Sequence, residues 1–145
     1  MKDNKNIGEQ RKKRYNEKVQ LIDERLKDVE DLISDFDNKI NRLACYKAFQ
    51  EIVEGLFDII AMLLKDKNKI VEDDYANIGK LEDTKAISKD DAAVLREANG
   101  LRNRVIHKYN KTDDNTAKES ILNLKPKLEE ILEKFKEAIK WEMAI

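Results

Sequence analysis

The chain has 145 residues, 41% of them charged, and a formal net charge of −1. This length fits one domain with a core of its own, and the near-neutral charge excludes a molecule that attracts nucleic acid over its whole surface. Abundant Glu, Lys, Leu and Ala, with only 4 Gly and 1 Pro, indicate a helical protein.

The N-terminal segment, residues 1–14, is basic. Lysine and arginine outnumber acidic residues there, and no apolar run of signal-peptide length is present. A solvated, frayed terminus accounts for such a charge run without a function. We therefore expect residues 1–14 to be a flexible extension of a single domain that spans residues 1–145.

The first strong pattern is an apolar stripe whose spacing predicts a long helix. Its members are Tyr15, Val19, Ile22, Leu26, Val29, Ile33, Phe36 and Ile40. Residues 34–38 contain poor helix formers and predict a break. A second helix is predicted over residues 39–65, with an apolar face wide enough for a central element. Gly55 lies inside this helix and indicates a close approach by a neighbour.

A polar connector, residues 65–69, ends the second helix. Asp73 or Asp74 is then suited to cap a short third helix. The apolar residues of that helix are Tyr75, Ile78 and Leu81. The sequence Ser88-Lys89-Asp90-Asp91 resembles a capping box and predicts the start of a fourth helix. Its apolar positions are Val94, Leu95, Ala98, Leu101 and Val105.

Residues 110–115 are turn-like, and Asp113 or Asp114 is suited to cap a last helix. Its apolar positions are Ile121, Leu124, Leu128, Ile131, Leu132, Phe135 and Ile139. Pro126 lies inside this pattern, so we expect either a kink there or a helix that starts only just before it. The chain is therefore predicted to be all-α, an up-and-down bundle of four long helices and one short helix.

Disulfide, metal and membrane functions find little support in the sequence. The single Cys45 excludes an intramolecular disulfide, and its apolar helical position predicts a buried thiol. With one Cys and one His, a zinc site would need carboxylates from scattered positions, so we expect no metal and no cofactor. The longest apolar run, residues 59–64, is far shorter than a membrane span. We expect a cytoplasmic protein.

Chemically distinct side chains meet at the predicted end of the fourth helix. The segment reads Arg102-Asn103-Arg104-Val105-Ile106-His107-Lys108-Tyr109 and contains the only histidine. In a straight helix, Arg102 and Tyr109 share one face, whereas Asn103 and His107 share a neighbouring face. One chain therefore supplies an incomplete site, and a two-fold pairing of this helix with its copy would bring two Arg and two His together.

An ordinary structural interpretation fits the same residues. A histidine near a helix C-terminus complements the helix dipole. An arginine on a helix commonly forms a surface ion pair, and a tyrosine after an apolar stripe commonly lies at the edge of the core. Composition and periodicity by themselves favour this interpretation.

The segment from residue 100 to residue 109 resembles the signature of the HEPN superfamily. In the HepT branch of that superfamily, an Arg is followed by four residues, a His, one residue and a Tyr. Arg102, His107 and Tyr109 occupy these positions, and Asn103 follows the Arg as the family favours.

The resemblance extends beyond the signature. Residues 48–60 resemble the second helix of the family, and residues 75–88 resemble its approach to the signature helix. The similarity covers about residues 17–140. It implies a HEPN fold for the whole domain.

For function, the resemblance implies a metal-independent endoribonuclease that is the toxin of a type VII toxin–antitoxin pair, with tRNA among its candidate substrates. The implied partner is an MNT-type nucleotidyltransferase antitoxin that neutralises the toxin by attaching AMP to Tyr109. The family also implies a homodimer whose motifs face each other.

The residue types suit this chemistry. RNA supplies its own nucleophile, the 2′-hydroxyl. His107 is expected to exchange protons with the reacting oxygens, and Arg102 to bind the phosphate and stabilise its developing charge. We expect Asn103, Arg104 and Tyr109 to support substrate binding.

Glu54 and Asp58 lie four residues apart on the predicted second helix and correspond to acidic positions of the family. They are expected either to face the catalytic cleft as supporting groups or to form a solvated acidic face. A third interpretation is that they form ion pairs with Arg102 or Arg104.

Two other functions stay open at this stage. A HEPN-like domain without catalysis would serve as a binding or assembly module, and its Arg102 and His107 would not meet in a shared dimer cleft. A plain helical scaffold would use the stripe from Tyr15 to Ile40 as a coiled-coil seam. A neighbouring nucleotidyltransferase gene would count against that scaffold.

Overall fold

The computed structural model describes the backbone of residues 2–107 and 113–144 and the side chains of residues 8–106 and 113–144. Within these ranges the chain forms helices and no strand. The helices are α1 (Lys2–Ile33), α2 (Lys39–Asp66), α3 (Asp74–Asp83), α4 (Lys89–His107) and α5 (Asp114–Met143). The predicted all-α bundle of four long helices and one short helix is confirmed. None of the helices described is both long and apolar enough to cross a lipid bilayer.

Side-chain caps determine where several helices begin. Asn38 caps α2 by accepting hydrogen bonds from two backbone N–H groups, at 2.9 and 3.1 Å. Asp73 caps α3 and Asp113 caps α5, each by accepting one such bond, at 2.8 and 3.0 Å. The break predicted over residues 34–38 is confirmed, because α1 ends at Ile33 and α2 begins at Lys39.

The predicted capping box at the start of α4 is also confirmed. The Asp91 backbone N–H donates to Ser88 Oγ at 3.0 Å, and the Ser88 backbone N–H donates to Asp91 Oδ2 at 2.9 Å. Lys134 of α5 pairs with the same carboxylate. Burial by itself raises the pKa of Asp91, but the hydrogen bonds from Lys134 and Ser88 outweigh that effect and lower it. The box therefore joins the start of α4 to α5.

The helices α1 and α2 are antiparallel. Arg11 in the first part of α1 pairs with Asp66 at the end of α2, at 3.1 Å, whereas Arg25 pairs with Glu51 in the first half of α2. The buried hydroxyl of Tyr15 also donates to the Asp66 carboxylate. Burial, reinforced by this hydrogen bond, raises the pKa of Tyr15.

The central element is α2, which contacts each of the other four helices. A Cβ atom added to Gly55 would lie 2.8 Å from Cγ1 of Ile22 on α1, so this glycine permits the predicted close approach. Cys45 is buried, and burial raises the pKa of its thiol to about 11. The wide apolar face predicted for this helix is the middle of the core.

One detail of the sequence prediction is wrong, and one of the alternatives that the sequence left open is excluded. Ile40 does not continue the buried stripe of α1 and is 76% exposed, because the turn before α2 reorients the chain. The last helix does not start just before Pro126; α5 begins at Asp114 and runs through the proline. The buried face of α5 continues on both sides of Pro126. The stabilisation from this packing outweighs the cost of the backbone hydrogen bond that proline cannot form.

Candidate functional site

The C-terminal half of α4 carries the residues singled out in the sequence. The helix buries Ala92, Leu95, Ala98, Leu101 and Val105. This apolar face fixes the rotation of α4. As a result, Arg102 is half-buried beside α2, and Asn103 and Arg104 are exposed.

Arg102 is held by an aromatic ring and by amide oxygens. Its guanidinium carbon lies 5.5 Å from the centroid of the Phe57 ring on α2, within the range of a cation–π contact. Nη2 donates to Asn99 Oδ1 at 2.8 Å and, more weakly, to Asn103 Oδ1 at 3.4 Å. These contacts fix the side chain where α4 crosses α2.

The charge of Arg102 is not neutralised by an ion pair within the part of the chain that the structure describes. Its two hydrogen-bond acceptors are neutral amides, and its buried Nε has no partner there. A guanidinium has five N–H donors in a planar fork that suits a phosphate or a carboxylate. This arrangement leaves Arg102 equipped to bind an anion.

The remaining signature residues follow along α4. A Cβ atom added to Gly100 would lie 3.4 Å from Nη1 of Arg104, one turn further on, so this arginine folds back along the helix. His107 is the last residue of α4, and its side chain lies outside the described residues. Tyr109 also lies outside them. Among the candidate site residues on α4, the structure thus describes the side chains of Arg102, Asn103 and Arg104.

The two acidic candidates on α2 lie on either side of Phe57 in the sequence. Glu54 Oε1 accepts a hydrogen bond from Gln50 Nε2 at 2.8 Å. Asp58 pairs with Lys18 of α1 at 2.8 Å and is exposed. The described partner of the Asp58 carboxylate therefore lies on α1. Among the described side chains, no group of three or more His, Cys, Asp or Glu residues is arranged to hold a metal ion.

Phe57 and Asn99, the residues that hold Arg102, were not predicted from the sequence. Asn99 lies three residues before Arg102, a spacing that places the two side chains together on a helix surface. That spacing was available as a signal. Phe57 is one of many apolar residues on α2, and nothing in the sequence distinguishes this ring from the others.

Comparison with known proteins identifies the family. The model of the family described as "Ribonuclease HepT-like" matches residues 16–135, which include all the described residues of the candidate site. The chain belongs to the HepT-like ribonuclease family. This confirms the HEPN resemblance of the sequence.

Two archaeal relatives of this chain are named as ribonucleases. A protein of Archaeoglobus fulgidus called "Putative RNase" is 39% identical over 104 residues, which cover 71% of this chain and 76% of that protein. A second "Putative RNase" of the same organism is 32% identical over 131 residues, covering 86% of this chain and 97% of the relative. The similarity to this chain therefore extends over nearly the whole of the second relative.

The fold agrees with a solved HEPN structure. A tri-AMPylated HEPN toxin of Shewanella oneidensis, in complex with an MNT antitoxin, superimposes with a TM-score of 0.79. The match covers 85% of this chain and 96% of the toxin, at 16% sequence identity. This HepT-like chain therefore has the fold of a HEPN toxin.

Proposed function

We propose that this protein is a toxin endoribonuclease that cleaves RNA without a metal ion, using Arg102 and His107. The observation that carries the proposal is the half-buried guanidinium of Arg102, which is held by Phe57 and amide oxygens without a neutralising acid among the described residues. It lies five residues before His107, at the end of the same helix. Membership of the HepT-like ribonuclease family supports the assignment.

The proposed reaction is transfer of the phosphate within the RNA. The 2′-oxygen bonds to phosphorus and loses its proton, while the bond from phosphorus to the 5′-oxygen breaks and that oxygen gains a proton. His107 serves as the base or the acid, and the His107 of a second copy takes the other role in a homodimer. Arg102 stabilises the charge that develops on the phosphate oxygens. Asn103, Arg104 and Tyr109 support substrate binding.

We further propose that an MNT-type nucleotidyltransferase is the antitoxin of this protein. The support is the fold shared with a HEPN toxin that is tri-AMPylated and bound to an MNT antitoxin. In this proposal the antitoxin attaches AMP to Tyr109. A bulky, anionic AMP group two residues after His107 would block the approach of an RNA phosphate to the catalytic pair.

The deciding experiment is cleavage of total cellular RNA in EDTA by the purified protein, with intact mass recorded to establish that Tyr109 is unmodified. We expect wild-type protein to cleave. Arg102→Ala should lower the rate by about 100- to 1,000-fold, the effect of removing one donor to a developing oxyanion. His107→Ala should lower it by about 100- to 10,000-fold, the range for general acid–base catalysis.

Two further variants separate charge from geometry. Arg102→Lys retains the charge but not the planar fork, so it should recover only part of the activity. Arg14→Ala, which removes an exposed arginine of α1, is the matched control and should cleave at the wild-type rate. If unmodified wild-type protein does not cleave but still binds RNA, the protein is the non-catalytic binding module.

A further inference from the structure

An exposed tyrosine stands out on the helix that precedes α4. Ile78 and Leu81 of α3 are fully buried, but Tyr75 in the same helix is 62% exposed. A large aromatic ring in water gives up the stabilisation that burial would bring. Its exposure is therefore compatible with a role in recognition, provided that the ring is held in one place.

The local structure holds Tyr75 firmly. The side-chain amide of Asn77, which is buried, exchanges two hydrogen bonds with the backbone of Glu72, at 2.8 and 3.2 Å. Asp73 caps the helix through the backbone N–H of Ala76. These bonds fix the residues on both sides of Tyr75, so the ring is presented from a defined first turn of α3.

Arg96 of α4 covers one face of the ring. Its guanidinium carbon lies 5.2 Å from the centroid of the Tyr75 ring. A Cβ atom added to Gly79, one turn after Tyr75, would lie 3.6 Å from Nη2 of Arg96, so the guanidinium lies along this face of α3. Like Arg102, Arg96 has no ion pair with any residue whose side chain the structure describes, and its buried Nε has no hydrogen-bond partner among those residues.

The ring and the candidate site belong to one continuous row. Arg96 and Asn99 are three residues apart on α4, and Asn99 accepts the hydrogen bond from Arg102. Arg96 and Arg102 are six positions apart on α4, which corresponds to about 9 Å along the helix axis and about 120° around it. An extended polymer that is bound at Arg102 and crosses over α4 can therefore also reach Tyr75.

We propose that Tyr75 and Arg96 form a subsite that stacks on a base of single-stranded RNA near the phosphate held by Arg102. This proposal rests on the proposed ribonuclease function. An exposed aromatic ring beside a guanidinium is the combination that binds single-stranded nucleic acid, because every base has a π face and every nucleotide carries a phosphate. Tyr75 supplies the stacking surface, and Arg96 supplies the charge and supports the ring from one side.

The test measures binding of a fluorescently labelled single-stranded oligouridine to full-length protein in EDTA, in a His107→Ala background that slows cleavage. Tyr75→Leu keeps an apolar side chain but removes the π face, and should weaken binding by roughly 5- to 150-fold. Tyr75→Phe keeps the ring and should bind within about twofold of the parent. Trp141→Leu removes another exposed aromatic residue, on α5, and is the matched control with unchanged affinity.

A second measurement shows whether the ring contacts a base. The same RNA is prepared with a single abasic nucleotide at each position in turn. At one position, loss of the base should weaken binding to protein with Tyr75 but cause no further loss with Tyr75→Leu. Thermal unfolding of each variant by circular dichroism establishes that the fold is retained.

The outcomes separate this inference from the function on which it rests. If wild-type protein cleaves RNA through Arg102, but Tyr75→Leu binds as tightly as Trp141→Leu, the ribonuclease stands and the stacking subsite is refuted. Tyr75 would then belong to a surface for a protein partner. If wild-type protein neither binds nor cleaves RNA, both proposals are overturned.

Discussion

Replacement of Gly55 by alanine tests how closely α1 and α2 pack. The added Cβ atom would lie 2.8 Å from Cγ1 and 3.1 Å from Cδ1 of Ile22. Ile22 is fully buried, and a β-branched side chain in a helix has few alternative rotamers. The contact therefore cannot be relieved by a simple rotation of Ile22, and the two helices must move apart slightly.

Two opposing effects set the change in the free energy of unfolding that Gly55→Ala causes. Alanine in a helix interior is favoured over glycine by about 1 kcal/mol, whereas overpacking a well-packed core costs about 1–3 kcal/mol. We expect Gly55→Ala to lower the free energy of unfolding by about 1 kcal/mol, the difference between these terms. Ile22→Ala removes both clashing carbons and should itself cost about 2–5 kcal/mol. In that background, Gly55→Ala should instead stabilise the protein by about 1 kcal/mol.

The assay is urea unfolding of the four proteins of this double-mutant cycle, followed by far-ultraviolet circular dichroism. Gly100→Ala is the matched control, because its nearest contact would be the flexible end of Arg104 at 3.4 Å. This control should gain close to the full helix propensity of about 1 kcal/mol. Close packing of Ile22 against Gly55 is refuted if Gly55→Ala stabilises the wild type as Gly100→Ala does and shows no coupling to Ile22.

Two further predictions concern α4. The pKa of Asp91 is lowered in the folded protein. The contribution of its carboxylate to the free energy of unfolding is therefore complete above the unfolded pKa of about 3.9 and is lost as the pH falls through the lower folded value. Asp91→Asn should reduce stability near neutral pH by about 1 kcal/mol, and this difference from the wild type should vanish in acid. Urea unfolding across this pH range checks it, and a difference that persists in strong acid would contradict it. Asn99→Asp places a carboxylate against Arg102 and should therefore weaken RNA binding. It should also reduce the magnitude of the slope of log K, the logarithm of the RNA-binding constant, against log salt concentration by about one. Equal affinity and salt dependence for wild type and Asn99→Asp would show that Arg102 does not bind a phosphate.

The candidate site was predictable where its residues are neighbours in the sequence. Arg102, Asn103 and Arg104 lie on one helix, so their spacing alone predicts how they are distributed around it. Asp58 was not predictable in this way. Its partner is Lys18, a residue 40 positions away, and only the antiparallel packing of α1 against α2 brings the two together.

The exposed surface of α3 shows the same limit of prediction from the sequence. Tyr75, Ile78 and Leu81 form one apolar set in the sequence, yet Ile78 and Leu81 are buried and Tyr75 is not. Arg96 covers one face of the ring but does not remove it from water. The apolar pattern located the helix, but it did not show which member of the set would remain at the surface.

The sequence by itself determined the number and order of the helices and the capping box that begins α4, because apolar periodicity and capping side chains act over three to seven residues. It also indicated the family, because the signature is a short run of consecutive residues, and the match to the HepT-like family confirms it. Only the tertiary structure decided that Phe57 lies beneath Arg102 and that Asp58 on α2 pairs with Lys18 on α1. Those contacts depend on how whole helices rotate and cross, and this arrangement minimises the free energy of the complete core rather than of any one segment.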